Sequence, residues 1–358
     1  MTINVGVPGI GDPGRLIRWL EASGVPDAAR LSGIELIAGG RSNLTYRLDF
    51  GSGDSAGGEY PHRLVLRRPP LGHVLPTAHD MSREYRVLSA LSGGRVPVPA
   101  PVGFCADTAI IGAPFYVMAY VEGLALRTKE DGEKITSLQA SQISECLAQT
   151  LAAIHLVDVA AVGLDGFGRP EGYLARQLKR WQRQWDLSAT RELPEFTRLV
   201  KRLADRPPEE GEGTLVHGDF RLDNLLIGLE PEPRVAAVVD WEMSTLGDPL
   251  ADLGLTLSYW TDPGDTQRLG IELSGAVTSR DGFLSSAGFT ARYAELTGRD
   301  VSGIGYYTAF GCFKLAVVLE SIHARFLQNK TVGEGFDQAG SGVPILVERA
   351  NRMLDDLA

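Results

Sequence analysis

Three polar side chains in the middle of the chain have the types and the spacing that phosphoryl transfer from a magnesium nucleotide requires. Asp219 follows the short β-prone run 215–216, Asn224 comes five residues later, and Asp240 closes the apolar run 235–239. One carboxylate must orient and deprotonate an attacking hydroxyl, while an amide oxygen and a second carboxylate hold the metal that bridges the phosphates. We therefore predict Asp219 as the catalytic base and Asn224 and Asp240 as Mg2+ ligands.

The element that has to position these side chains is a β-hairpin. The apolar runs 225–227 and 235–239 flank a turn at 228–233. Such a hairpin leaves Asn224 and Asp240 at its two open ends, close enough to share an ion. The structural alternative is that two polar residues simply cap a hairpin, but further motifs that occur in one order along the chain favour the functional interpretation.

Five segments together resemble the motifs of the aminoglycoside phosphotransferase-like kinases, and most closely the acyl-CoA-dehydrogenase-associated phosphotransferase subgroup. They are GGRSNLTY at 39–46, LRRPP at 66–70, HGDFRLDN at 217–224, VDWE at 239–242 and GDPLADLG at 247–254. The similarity runs from about residue 15 to the C-terminus. It implies an α+β, protein-kinase-like, two-lobed fold with a small β-rich N-terminal lobe at 1–122 and a mostly helical C-terminal lobe at 123–358.

The resemblance also implies a nucleotide site in the N-terminal lobe. A hairpin containing Gly39, Gly40, Ser42 and Asn43 would lie over the ATP phosphates, because glycines allow close backbone approach. A plain glycine-rich turn is the alternative for this segment. Backbone groups of Tyr120 and Val121, at the linker between the lobes, would meet the adenine edge; an interior strand is the alternative there.

Arg67 takes the place of the phosphate-pairing lysine of this fold. The helix predicted from Asp80 to Leu91 puts Glu84 on its inward stripe, and a buried carboxylate needs a partner. We expect Arg67 to be that partner, so that the pair clamps phosphates. The alternative is a solvated glutamate. The replacement of lysine is a departure from the family pattern, because Arg presents a planar fork rather than a point charge.

Composition narrows the function further. With 358 residues, 44% of them hydrophobic, and a formal charge of −10, the chain has room for two lobes and does not have the charge of a broad nucleic-acid binder. Its three scattered cysteines indicate core thiols rather than disulfides. Without a signal-peptide pattern or an apolar run of roughly 20 residues, we expect a cytoplasmic protein with no membrane partner.

The acceptor is expected to be a small molecule with a hydroxyl group, because no long activation segment follows Asp240. The subgroup implies a hydroxyacyl-CoA or a hydroxy acid. A basic face on the predicted helix 171–185 fits a CoA ester, although a solvated face is the alternative. Aminoglycosides, choline-like amino-alcohols and a nucleotide-binding pseudokinase scaffold stay open. His155 is expected to be structural, and Asp248 and Asp252 to cap a helix or brace the catalytic loop. The sequence does not indicate an oligomeric state.

Overall fold

The computed structural model describes residues 7–37, 43–51, 63–71, 80–269, 271, 276–330 and 336–357. The chain divides into two compact units, Met1–Glu122 with Ala236–Glu242, and Gly123–Val235 with Met243–Ala358. The expected lobes at 1–122 and 123–358 stay a prediction, and residues 236–242 group with the first compact unit. The reason is local bonding: Val238 N donates to Pro97 O at 2.8 Å, and Asp240 pairs with Arg67.

The first unit is built on a five-stranded antiparallel sheet in the order β1-β2-β3-β5-β4. Its elements are α1 (Pro13–Ala22), β1 (Leu31–Leu36), β2 (Leu44–Phe50), β3 (Arg63–Arg68), α2 (Met81–Leu91), β4 (Pro101–Cys105) and β5 (Phe115–Ala119). A hydrophobic core that includes Leu20, Leu48, Leu66 and Phe115 packs α1 against the sheet. Leu64 and Leu66 of β3 enter this core from alternating strand positions, and Leu16 and Leu20 of α1 enter it from one helix stripe, as amphipathic elements require.

The central strand β3 and helix α2 bring Arg67 and Glu84 together. In the sheet, Arg67 lies opposite Thr45 of β2 and Tyr116 of β5. Helix α2 begins where Asp80 Oδ1 accepts from Ser82 N at 2.9 Å, and it buries a stripe that includes Glu84. The cap fixes where the helix starts, and hence which residues face the sheet.

The second unit is mostly helical. Its helices are α3 (Lys129–Glu133), α4 (Ser137–His155), α5 (Tyr173–Ser188), α6 (Pro194–Asp205), α7 (Pro249–Tyr259), α8 (Thr266–Leu269), α9 (Ser286–Thr297), α10 (Ile304–Leu327) and α11 (Ala339–Asp355). Strands β6 (Thr214–Val216) and β9 (Thr245–Gly247) pair antiparallel. Strand β7 (Leu225–Gly228) pairs with β8 (Arg234–Val238). The division between the two units falls within β8.

Helix α7 packs closely on α10, and this contact positions the catalytic loop described below. A Cβ atom at Gly254 of α7 would lie 2.3 Å from Tyr307 O of α10, and one at Gly311 of α10 would lie 2.7 Å from Gly254 O. Only glycine allows two helix backbones to approach this closely. The last glycine of the GDPLADLG motif therefore has a packing role.

Two further sequence expectations meet the structure here. Cys105 and Cys312 are buried free thiols, as expected, whereas Cys146 is only half-buried and its Sγ donates to Pro233 O at 3.3 Å. Across the described ranges, we find no helix that combines the length and the apolarity needed to cross a membrane.

Candidate active site

The catalytic loop follows β6 and brings two predicted site residues into contact. Asn224 ends a 3-10 turn at Leu222–Asn224, and its Nδ2 donates to Asp219 O at 2.9 Å and to Asp219 Oδ2 at 3.0 Å. Both bonds use the amide nitrogen, so the amide oxygen of Asn224 faces elsewhere and keeps its acceptor lone pairs. Phe220 and Leu225 are fully buried and anchor the loop on either side of these polar groups.

Asp252, in the first turn of α7, holds the backbone of this loop in place through hydrogen bonds. It accepts hydrogen bonds from His217 N at 2.7 Å and Gly218 N at 2.9 Å, and it lies 3.2 Å from His155 Nε2. His155 Nδ1 lies 2.7 Å from the Tyr293 hydroxyl. Burial raises the pKa of Asp252, but the bond from His155 and the backbone donors outweigh it, so the net pKa lies below its usual value.

The two roles weighed for the acidic residues of the GDPLADLG motif are divided between them. Asp252 braces the loop, whereas Asp248 caps α7 by accepting from Leu250 N at 2.9 Å and also accepts from the Tyr307 hydroxyl at 2.7 Å. His155 is buried and hydrogen-bonded on both ring nitrogens, which is the structural role expected of it.

Gly218 and Lys314 hold the loop backbone immediately before Asp219. Gly218 has φ 81°, and a Cβ atom there would lie 2.5 Å from Met243 O. Lys314 Nζ, from α10, donates to Gly218 O at 2.6 Å and lies 5.2 Å from the centre of the Trp181 ring. Desolvation lowers the pKa of Lys314. The sequence analysis missed Lys314, although a lone lysine inside the apolar run of α10 was a visible signal.

In the first unit, Arg67 lies between two carboxylates. Its Nε is 3.1 Å from Glu84 Oε2, and its Nη2 donates to Asp240 Oδ1 at 2.5 Å. The expected ion pair of Arg67 with Glu84 is thus present, and Asp240 is an additional partner. The Glu84 side chain is 1% exposed and that of Asp240 is 30% exposed. Asp240 has φ 68°, an uncommon conformation outside glycine that is often found at functional sites.

Asn43 and Tyr116 complete this cluster. Asn43 Nδ2 donates to Glu84 Oε1 at 3.0 Å and to Glu242 Oε2 at 3.1 Å, and the Tyr116 hydroxyl donates to Glu84 Oε2 at 2.8 Å. Asn43 was expected at the nucleotide phosphates; here its amide nitrogen joins two carboxylates. Burial raises the pKa of Glu84 despite the opposing effect of Arg67. Burial lowers the pKa of Arg67, but Glu84 and Asp240 raise it by more, so the guanidinium stays charged.

The donor set of this cluster fits a hard divalent cation. Ligand oxygens of Glu84, Asp240 and Glu242 lie within 4.8 Å of one another. In the part of the chain that the structure describes, Asn43 Oδ1 is buried without a hydrogen-bond partner. Mg2+ prefers carboxylate, amide and water oxygens. Asn224, the other predicted ligand, belongs to the second unit, so its sharing of an ion with Asp240 stays a prediction.

Comparison with known proteins decides the family. Residues 33–282 match a family described as the phosphotransferase enzyme family. The chain belongs to this family. It is 35% identical over 316 residues to acyl-CoA dehydrogenase family member 11 of Gallus gallus, a match that covers 87% of this chain and 39% of that protein. The phosphotransferase therefore spans well under half the length of this relative.

Solved structures agree on the fold. A candidate aminoglycoside phosphotransferase of Ralstonia eutropha has a TM-score of 0.76 and 30% identity, covering 96% of this chain and 98% of its own. The ternary complex of aminoglycoside phosphotransferase APH(4)-Ia with AMP-PNP and hygromycin B has a TM-score of 0.58 and 15% identity, covering 92% and 95%. The second likeness shows the fold alone. The predicted α+β, kinase-like fold of the phosphotransferase is confirmed.

Five predicted nucleotide contacts remain, namely Gly39, Gly40, Ser42, Tyr120 and Val121. Gly39, Gly40 and Ser42 fall outside the described residues. Tyr120 and Val121 directly follow β5, where Tyr120 N donates to Arg63 O at 3.4 Å and the Arg63 guanidinium carbon lies 5.3 Å from the Tyr120 ring centre. Their contact with adenine stays a prediction.

The basic face predicted on helix 171–185 is present on α5 of the phosphotransferase. Leu174, Leu178 and Trp185 are buried on one side, and the exposed side carries Arg176, Lys179, Arg180 and Arg183. The Arg180 guanidinium carbon lies 5.6 Å from the Trp181 ring centre, and that ring also contacts Lys314. The basic face is therefore linked to the catalytic loop through two side chains.

Proposed function

We propose that the phosphotransferase moves the γ-phosphoryl group of ATP to a hydroxyl group of a small molecule, with Asp219 as the base. The observation that carries the proposal is the bond from Asn224 to Asp219 Oδ2. It ties down one carboxylate oxygen, and in the described part of the chain no hydrogen bond is made to the other. A carboxylate held in this way can receive an acceptor hydroxyl in a fixed orientation.

In the proposed reaction the acceptor oxygen forms a bond to the γ-phosphorus while the bond from that phosphorus to the β,γ-bridging oxygen breaks. The hydroxyl proton passes to Asp219, and ADP leaves. Asn224 Oδ1 and Asp240 would hold Mg2+, which when bound neutralises phosphate charge. A cation at Asp240 would also free Arg67 Nη2 from its carboxylate partner, and Arg67, still held by Glu84, could then contact phosphate oxygens.

For the acceptor we propose a hydroxyacyl-CoA or a hydroxy acid. Two observations support this class. The matched relative carries an acyl-CoA dehydrogenase name, and the basic face of α5 is linked through Trp181 and Lys314 to the loop that carries Asp219. Anionic CoA phosphates are attracted to such a face, whereas a polycationic aminoglycoside is repelled. Aminoglycosides and choline-like amino-alcohols are the rival acceptors, and a nucleotide-binding scaffold without turnover is the rival function.

The test is turnover of Mg2+-ATP against hydroxyacyl-CoAs, free hydroxy acids, amino-alcohols and aminoglycosides. Asp219→Ala is expected to lower turnover on the true acceptor by on the order of a hundredfold or more, because the general base is lost, with ATP affinity little changed. Asp205→Ala removes an exposed carboxylate at the end of α6 and serves as the control.

The outcomes separate the rivals. Phosphorylation of acyl compounds that free CoA inhibits would support a CoA ester, and phosphorylation of amino-alcohols would replace this acceptor class. Turnover that survives in the Asp219 variant would remove this residue from the mechanism. ATP binding without transfer to any acceptor would favour a scaffold.

A further inference from the structure

A small pocket that is partly open to solvent lies in the second unit next to the catalytic loop. Its lining combines residues of that loop with residues of α4 and α7 and of the segments that follow α7; they are Leu147, Arg221, Leu222, Asp223, Thr256, Tyr259, Trp260 and Thr278. Arg221 is only two residues from Asp219. The residues to which the proposed reaction assigns a step are not among those that line this pocket.

Most hydrogen-bond donors of the lining are already used inside the protein. Thr256 Oγ1 donates to Phe220 O at 2.9 Å, Thr278 Oγ1 to Thr261 O at 3.1 Å, and Trp260 Nε1 to Leu284 O at 3.0 Å. These bonds stiffen the walls but leave the three side chains with no donor for a ligand. The charged donor of the lining is Arg221.

Arg221 has donor capacity left. Its Nη2 donates to Asp223, and its guanidinium carbon lies 4.8 Å from the centre of the Tyr259 ring. Its Nε is buried without a hydrogen-bond partner among the described residues. Burial lowers the pKa of Arg221, but Tyr259 and Asp219 raise it by more, so the guanidinium is charged. A buried charged donor without an acceptor is costly, and an oxygen of a ligand would relieve that cost.

A second buried cation lies close to Tyr259 of the lining. Arg268 of α8 is 1% exposed, and within the described ranges none of its three guanidinium nitrogens has a hydrogen-bond partner. It is not part of the lining, but Tyr259 is close enough to raise its pKa against the larger lowering effect of burial. Within the described ranges, both arginines therefore keep buried donor atoms close to Tyr259.

We propose that this pocket is the acceptor-recognition subsite of the phosphotransferase and that it binds an oxyanion of the acceptor through Arg221. The proposal rests on the proposed function, which supplies the reaction. The oxyanion has two possible sources, the carboxylate of a free hydroxy acid or a phosphate of a CoA ester. A cationic amino-alcohol does not fit, because Arg221 would repel it.

The experiment compares three forms of one hydroxylated acyl compound: the free acid, its neutral amide and its CoA ester. A series of hydroxypentanoyl compounds with the hydroxyl at carbon 2, 3, 4 or 5 also shows which hydroxyl position is accepted. Binding is measured by calorimetry without ATP, and kcat/KM with Mg2+-ATP, for the wild type, Arg221→Gln and Arg221→Lys. Arg198→Gln is the matched control, because Arg198 of α6 is largely exposed and lies 3.8 Å from Asp355.

We expect the wild type to prefer one anionic form over the amide by at least tenfold. Arg221→Gln should remove that preference while changing binding of the amide by less than threefold, and Arg221→Lys should restore part of it. Preference for the free acid identifies a carboxylate, and preference for the CoA ester identifies a phosphate. Circular dichroism and thermal unfolding verify that each variant is folded.

Other outcomes distinguish failure of the proposed acceptor subsite from failure of the proposed phosphoryl transfer. Equal losses on all three forms would make Arg221 a support of the catalytic loop and overturn the subsite. Absence of any preference in the wild type would do the same, even if phosphoryl transfer occurs. A preference in binding that depends on Arg221, without transfer from ATP to any form, would keep the subsite and overturn the proposed function.

Discussion

The catalytic loop and the cluster around Arg67 differ in how completely their polar groups are satisfied. In the loop, Asp252 accepts from two backbone N–H groups and contacts His155, and Lys314 caps Gly218 O. In the cluster, buried Asn43 Oδ1 and Arg67 Nε have no partner with hydrogen-bond geometry among the described residues, although Arg67 Nε lies within ion-pair distance of Glu84. The loop backbone at 217–218 is held by groups of the protein itself, while two buried polar atoms of the cluster have bonding capacity left.

This difference suits the two regions to different functions. A base works best when it is held rigidly before the substrate arrives, because its orientation then costs nothing at the moment of reaction. A site for a charged ligand benefits from groups whose pairing changes when the ligand binds. We infer that the loop is preorganised and that the cluster is completed by its ligands.

The largest effect is predicted for a substitution that disrupts the preorganised loop. Asp252→Ala would leave His155 and two backbone donors buried without an acceptor, which costs about 3–5 kcal/mol of unfolding free energy. The loop would also shift, and a misplaced base is expected to lower kcat about a hundredfold. Urea unfolding and turnover under folding conditions measure the two effects.

Asp248→Ala is the matched control for this prediction. Asp248 lies in the same segment and is also buried, but its described bonds go to Leu250 and Tyr307 rather than to the loop. The Asp248→Ala variant should be less stable than the wild type, while its folded fraction keeps a turnover near that of the wild type. If both variants lose turnover equally, the brace is not specific to Asp252.

A smaller effect is predicted for the region that is completed by its ligands. Arg67→Met would leave Glu84 and Asp240 without their cation and would remove the proposed phosphate contact. The KM for ATP should rise on the order of tenfold or more, as expected for loss of a charged hydrogen bond. Steady-state kinetics at saturating acceptor measures this change.

Arg63→Met is the control for Arg67, because it removes an arginine from the same strand β3. Arg63 is largely exposed and lies 3.3 Å from the exposed Glu122, so its removal should change the KM for ATP less than twofold, as for most surface pairs. Parallel effects of the two variants would show that charge on the strand, and not the buried cluster, decides ATP affinity.

Short-range sequence patterns predicted the parts of the site that lie close together in the chain. The spacing of Asp219 and Asn224 within one loop was enough to bring them together, and the helix period placed Glu84 inward, where Arg67 meets it. The helix α6 was missed, although Phe196, Leu199 and Leu203 follow a helical period and are all buried. That signal was present and not used.

Contacts between distant segments were beyond the sequence. Lys314 reaches Gly218 across 96 positions, and Asp240 reaches Arg67 across 173. The residue types gave no register for either contact, because an arginine or a lysine can pair with many carboxylates and carbonyls. For the same reason, the sequence did not predict that residues 236–242 group with the first unit.

The smallest predicted effect concerns Lys314, the cation that completes the catalytic loop. Its pKa in the folded protein is lowered by desolvation, so the unfolded chain binds the proton more readily. The contribution of this group to the free energy of unfolding is therefore fully present above the usual lysine pKa near 10.5. That contribution is lost as the pH falls through the lower pKa of the folded protein. In Lys314→Met no such titration occurs.

The difference in unfolding free energy between wild type and Lys314→Met should accordingly rise with pH as the pH approaches 10.5 from below. Urea unfolding of both proteins at several pH values between about 8 and 10.5 measures it. Lys201→Met, at an exposed position of α6, gives the matched control and should run parallel to the wild type. Parallel curves for Lys314→Met as well would mean that its ammonium is solvated, and the loop would then lose one of the two supports that set it apart from the cluster around Arg67.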